Sequence, residues 1–138
     1  MSQQQAGKYY LKDTCPKDDV RVRFNRTVFG ADDDVTMDEV RRRLPEFKRA
    51  AGAFGTANYR WARGLLNPPA DWPSNVTGPM DTAVSKILGV SRELGAASRA
   101  SNAVEWARHV GKAGTLNRAT PSDTIRARLD LPSPGRGC

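Results

Sequence analysis

The sequence predicts a mainly α protein, a small helical domain preceded by an N-terminal β-arm or hairpin. Three observations predict it. Apolar residues recur at alternating steps of four and three from Val40 to Leu65. A short stretch, Val20-Arg-Val-Arg-Phe24, alternates apolar and basic residues as a half-buried strand does. The chain has 138 residues, enough for one domain, but only 38% are hydrophobic, so the core is modest.

The elements follow in chain order. Residues 1–7 are polar and read as a loose terminus. Val20, Val22 and Phe24 would share one face of a strand, with Lys8–Leu11 as its partner across Cys15-Pro16. Residues 1–30 then form an arm that leans on a neighbour, because a lone hairpin is marginal in water. Tyr9, Tyr10, Phe24 and Phe29 are its candidate subunit contacts. The aspartates at 32–34 lack the alternate spacing, glycine and distal glutamate of a calcium loop, so they read as helix-entry decoration and no metal is expected.

Residues 31–131 read as the helical domain and 132–138 as a flexible tail. Thr36-Met-Asp-Glu39 is a capping box that starts the first helix. Its apolar face runs Val40, Leu44, Phe47, Ala51, Phe54, Asn58, Trp61, Leu65, and Pro45 breaks or kinks it. Asn58 on this face reads as a register device. The helix stops before Asn67-Pro-Pro69, because Pro68 disfavours helical geometry in the residue before it. Residues 67–79, with four prolines, read as one long loop anchored by Trp72, a further subunit contact. A helix entered at Gly78-Pro79 carries Met80, Val84, Ile87, Leu88 and Leu94. An Ala- and Ser-rich piece ending in Trp106 and Val110 follows. Thr120-Pro-Ser-Asp123 is a second cap, opening a short helix to Leu129.

Charge is the most informative bulk property. The net charge is +7, with residues 1–40 carrying six Lys/Arg against eight Asp/Glu and residues 41–138 sixteen against seven. A basic body of this kind attracts polyphosphates. The candidate nucleic-acid contacts are Arg41, Arg42, Arg43, Lys48, Arg49, Arg60 and Arg63, with Arg126 and Arg128 on the last helix.

Enzyme classes lack their parts. The chain has no glycine-rich phosphate loop, no Gly-x-Ser-x-Gly elbow and no His-Glu-x-x-His. Its one histidine, His109, has no second ligand or nucleophile nearby in sequence. No catalytic residue, cofactor, metal or small-molecule substrate is expected. No apolar run approaches a membrane span and no signal peptide is visible, so Cys15 and Cys138 are read as reduced thiols and the Asn25 and Asn75 sequons as chance matches.

Two binding classes remain. One is a helix-turn-helix DNA-binding regulator, placed either at Ala51–Gly55–Trp61 or on the helix from Thr120 to Leu129, the latter separated from the preceding helix by residues 111–119. The other is a sequence-tolerant coat, with a phage head or neck protein sharing the same composition. Leu-Pro-Glu-Phe-Lys-Arg at 44–49, Tyr-Arg-Trp-Ala-Arg at 59–63 and Asn-Pro-Pro-Ala-Asp-Trp at 67–72 occur in that order, followed by Gly89-Val90 and Leu131-Pro-Ser-Pro134. Over about 45 residues this order resembles the central region of coat proteins of filamentous plant RNA viruses of the potexvirus type. Ala-Val-Ser-Lys-Ile-Leu stands where that family carries phenylalanines. Val-Arg-Phe at 22–24, Gly-Ala-Phe-Gly-Thr-Ala-Asn at 52–58, Asn67-Pro68 and Leu-Asn-Arg at 116–118 are similar to the tobacco-mosaic type. The resemblance implies an RNA-binding, self-assembling virion subunit, found in the virion or host cytoplasm, with RNA favoured over DNA.

Overall fold

A computed structural model describes residues 1–30, 34–134 and 138. Among the described residues the structure is six helices: α1 (Gln3–Val28), α2 (Met37–Arg42), α3 (Leu44–Leu66), α4 (Ser74–Ser98), α5 (Ala103–Arg118) and α6 (Ser122–Arg128). No strand occurs among them.

The N-terminal β-arm is therefore replaced by a 26-residue helix. It starts at a capping box: the Gln5 N–H donates to Ser2 Oγ at 3.1 Å, and the Ser2 N–H donates to Gln5 Oε1 at 2.9 Å. Its buried face is Ala6, Tyr10, Thr14, Lys17, Phe24 and Val28, spaced as a helix requires. Val22, which the strand reading placed beside Phe24, is 44% exposed. The alternation at 20–24 spans little more than one turn, and the long-range face outweighs it. Pro16 sits inside α1.

α2 and α3 follow the sequence closely. The Glu39 N–H donates to Thr36 Oγ1 at 3.2 Å. The helix breaks at Arg43 and restarts with Pro45 in the first turn of α3. α3 is the centre of the bundle, packed on α1 and α4, while α5 lies against α4. One apolar cluster joins Tyr10, Trp61, Leu65, Met80, Ile87 and Ile125. A second joins Phe24, Val40, Phe47, Leu94 and Trp106. Each tryptophan N–H has an acceptor: Thr14 Oγ1 for Trp61 (2.9 Å), the Leu65 carbonyl for Trp72 (3.1 Å) and the Phe47 carbonyl for Trp106 (3.1 Å). Asn58 is buried but its amide donates to the Phe54 carbonyl of its own helix, so it sets no register between helices.

The Pro-Pro loop is shorter than expected. α4 begins at Ser74 and carries Pro79 inside it, leaving residues 67–73 as the connection. Trp72 pins this loop to its own chain, with the Tyr9 ring edge-on at 5.7 Å. Thr120 does not cap α6; its hydroxyl donates to the Leu116 carbonyl at the end of α5. Cys15 and Cys138 form a disulfide, with Cα atoms 5.1 Å apart, so both thiols are consumed and the chain end is tied to α1.

Candidate nucleic-acid interface

The exposed face of α3 is built from Arg49, Ala53, Thr56, Arg60 and Arg63, one stripe at helical spacing opposite the buried Phe47, Ala51, Gly55 and Trp61. Small residues leave this stripe low, and three shallow grooves meet along it at Gly52. The groove between α1 and α3 has a floor of Val20, Phe24, Ala53 and Ala57, with Arg23 and Arg60 at its edges. The second is bordered by Lys48 and Arg49. The third, between α3 and α4, is bordered by Arg92 and Arg99, with Tyr59 beside them.

Among the described residues six cations thus line these grooves, and no carboxylate lines any of them. Tyr59 is 48% exposed and adjoins Arg63, whose Nη1 lies 3.5 Å from its hydroxyl. A small-residue floor between guanidinium edges admits a flat, partly apolar group with an anionic backbone on either side.

The sequence-predicted contacts divide. Lys48, Arg49, Arg60 and Arg63 lie on or beside this surface. Arg42 is exposed at the α2–α3 corner. Arg41 pairs with Asp38 at 2.8 Å. Arg43 makes a two-pronged pair with Glu46, at 3.0 and 2.9 Å, and covers the Phe47 ring. That pairing raises the Arg43 pKa and lowers that of Glu46. Arg126 is 3% exposed and donates to the Pro132 carbonyl, so it lies away from the groove surface of α3. Arg128 is exposed and donates through Nη1 to the Asn75 carbonyl at 2.7 Å. Arg23, Arg92 and Arg99 were not foreseen. Arg23 belongs to an alternating stretch that reads as a strand, Arg92 and Arg99 stand apart from the basic run at 41–63, and only tertiary packing gathers them.

The predicted subunit contacts are used within the chain. Tyr10 and Phe24 are buried, Phe29 packs on the second cluster, and Tyr9 and Trp72 pack on each other. The Tyr9 hydroxyl also donates to the Gly64 carbonyl at 2.7 Å. Neither helix-turn-helix placement has the required shape. α3 runs unbroken through Gly55, and α6 has seven residues with one arginine buried. The connection from α5 to α6 is itself short, residues 119–121, because α5 continues to Arg118.

Among the described residues no group of three or more His, Cys, Asp or Glu is placed to hold a metal, and no helix is long and apolar enough to cross a membrane. Asp32 and Asp33 lie outside the described residues. His109 Nδ1 is 2.7 Å from Glu93 Oε2, tying α5 to α4. Comparison with protein-family models, with curated proteins and with solved structures finds no match to this chain.

Proposed function

We propose that this chain is a non-enzymatic, nucleic-acid-binding structural subunit that coats an RNA strand along its backbone and assembles with copies of itself. The observation that carries the reading is the set of grooves around Gly52, whose described lining holds six cations from α1, α3, α4 and its C-cap and no carboxylate. Solubility alone asks for mixed charge on a surface, not for single-sign grooves. Grooves with cationic edges and a low apolar floor suit single strands, whose phosphates meet the guanidinium groups while bases lie on the floor. The resemblance of residues 44–72 to filamentous coat proteins supports RNA as the polymer and the virion as its setting.

The test is a titration of single-stranded RNA of unrelated sequences at several salt concentrations, followed by electron microscopy of the mixtures. The expected result is affinity that varies little with sequence and falls with salt, with a log–log slope of about −4 if six phosphates are engaged. Filaments or rings should form. Absence of binding at low salt would overturn the reading, and preference for one DNA duplex would replace it with a regulator.

A further inference from the structure

Where α1 passes α6, a cavity of about 310 Å³ opens beside Tyr10 and Trp61. It shares no lining residue with the three basic grooves. Four cations line it, Lys17, Arg21, Arg118 and Arg126, against two carboxylates, Asp18 and Asp123. Two of those cations are withdrawn from water: Arg126 is 3% exposed and Lys17 is 9% exposed. A buried charge is costly unless an opposite charge and hydrogen bonds offset it.

The offset present is incomplete. Asp18 alone serves three cations, at 2.8 Å from Lys17 Nζ, 3.4 Å from Arg21 Nε and 3.9 Å from Arg126 Nη2. The last distance is too long for a hydrogen bond, and Arg126 donates to the Pro132 carbonyl at 3.0 Å instead. Lys17 lies 4.0 Å above the Trp61 ring and Arg126 lies 5.8 Å from the Tyr10 ring centre. Aromatic faces compensate a cation less than a carboxylate does. Burial also lowers the Lys17 pKa, and the bond to Asp18 offsets that lowering only in part.

We propose that this cavity is a binding site for a small phosphate-bearing anion. A doubly charged phosphate would neutralise the excess of two positive charges among the described lining side chains. Asn117, Thr120 and Ser122, also in the lining, supply neutral hydrogen-bonding groups for the rest of the ligand. The volume lies at the low end for small-molecule sites, which fits phosphate or a short phosphate monoester. The site does not depend on the RNA reading.

The experiment is calorimetric titration of the full chain, disulfide intact, at fixed ionic strength, with inorganic phosphate and separately with glycerol phosphate. One-site saturation in the millimolar range or below is expected. Arg118→Ala removes an exposed cation from the wall and should weaken binding roughly tenfold. Arg41→Ala, outside the cavity lining, should leave affinity unchanged and serves as the folded control. Tighter binding of glycerol phosphate identifies a monoester as the ligand, and tighter binding of inorganic phosphate identifies the free anion. Failure to saturate, or equal affinity for the wild type and Arg118→Ala, would overturn the assignment. Lys17→Met adds an independent arm: thermal stability at low salt should no longer rise with phosphate. A rise equal to that of the wild type would count against the site.

Discussion

Arg128 donates through Nη1 to the Asn75 carbonyl at 2.7 Å, and that carbonyl is the one Pro79 leaves without a helical partner. In a regular helix the N–H four residues on would bond it, but proline has none. Asn75 answers with a longer amide bond, 3.4 Å, to the Arg128 carbonyl. A side chain from α6 therefore completes the backbone of α4. This explains why α4 runs through Pro79 when the sequence signals a start there.

A double-mutant cycle tests that relationship. Arg128→Ala should destabilise the chain by about 1 kcal/mol, the worth of one charge-assisted bond to an exposed carbonyl. In a Pro79→Ala background the helix supplies its own N–H, so the same substitution should cost close to nothing. Chemical denaturation of the four proteins measures this. Equal costs in both backgrounds would mean that Arg128 acts elsewhere.

What the sequence made legible was decided by which residues face the core. α2 and α3 were readable because a Thr cap, a proline in the first turn and an apolar face all agree. α1 was not, because its inward face carries Thr14, Lys17 and Asp18, which no hydrophobic pattern reveals. The same physics divided the arginines. Arg49 and Arg60 were readable because they share an exposed stripe on one helix. Arg126 was misplaced because only tertiary contact shows that its guanidinium lies beside Tyr10 and Asp18. Arg23 comes from α1, while Arg92 lies in α4 and Arg99 caps its C-terminus, and sequence carries no sign that these two helices converge on α3.

Two glycines in helices should respond oppositely to alanine. A Cβ at Gly55 would stand 3.2 Å from Leu94 Cβ and 3.3 Å from the Ser91 carbonyl, where α3 and α4 cross. The Ser91 hydroxyl also donates to the Gly55 carbonyl at 2.9 Å, which holds the helices together there. Gly55→Ala should destabilise by about 1–2 kcal/mol, since overpacking exceeds the gain in helix propensity. A Cβ at Gly111 meets nothing within 4 Å. Gly111→Ala should therefore stabilise by about 0.5–1 kcal/mol. Thermal melts of both variants suffice, and a stabilised Gly55→Ala would deny the close crossing.

Asp13 gives stability a pH dependence. Burial against α3 raises its pKa to about 6 from 3.8, and its Oδ2 is buried without a hydrogen-bond partner. The folded state thus favours the protonated acid. The stability this confers is full below about pH 4 and is lost as pH rises through about 6. Asp13→Asn keeps the shape without the charge. It should flatten that dependence and stabilise the protein at pH 7 by about 1–2 kcal/mol, a value reduced for partial exposure. A variant less stable than wild type at pH 7 would show that the ionised carboxylate has a partner in solution.

The disulfide links residues 123 positions apart and closes nearly the whole chain. Reduction should lower stability by about 2–4 kcal/mol, chiefly by freeing the unfolded ensemble. Cys138→Ser should reproduce the loss without reductant. Equal melting temperatures for oxidised, reduced and substituted protein would show that the cross-link contributes nothing.

The strongest discrimination among the arginines comes from salt. Arg49 and Arg60 border grooves without a carboxylate, so each is free to exchange counterions for a phosphate. Their joint replacement by alanine should flatten the log–log salt dependence of single-stranded RNA binding by about 1.4, roughly 0.7 per phosphate lost. Arg41 and Arg43 are already paired with Asp38 and Glu46. Replacing both by alanine should change the slope by less, because a pre-neutralised guanidinium releases fewer ions. If the Arg41/Arg43 variant loses more slope than the Arg49/Arg60 variant, the polymer runs over the α2–α3 corner and not along the grooves at Gly52.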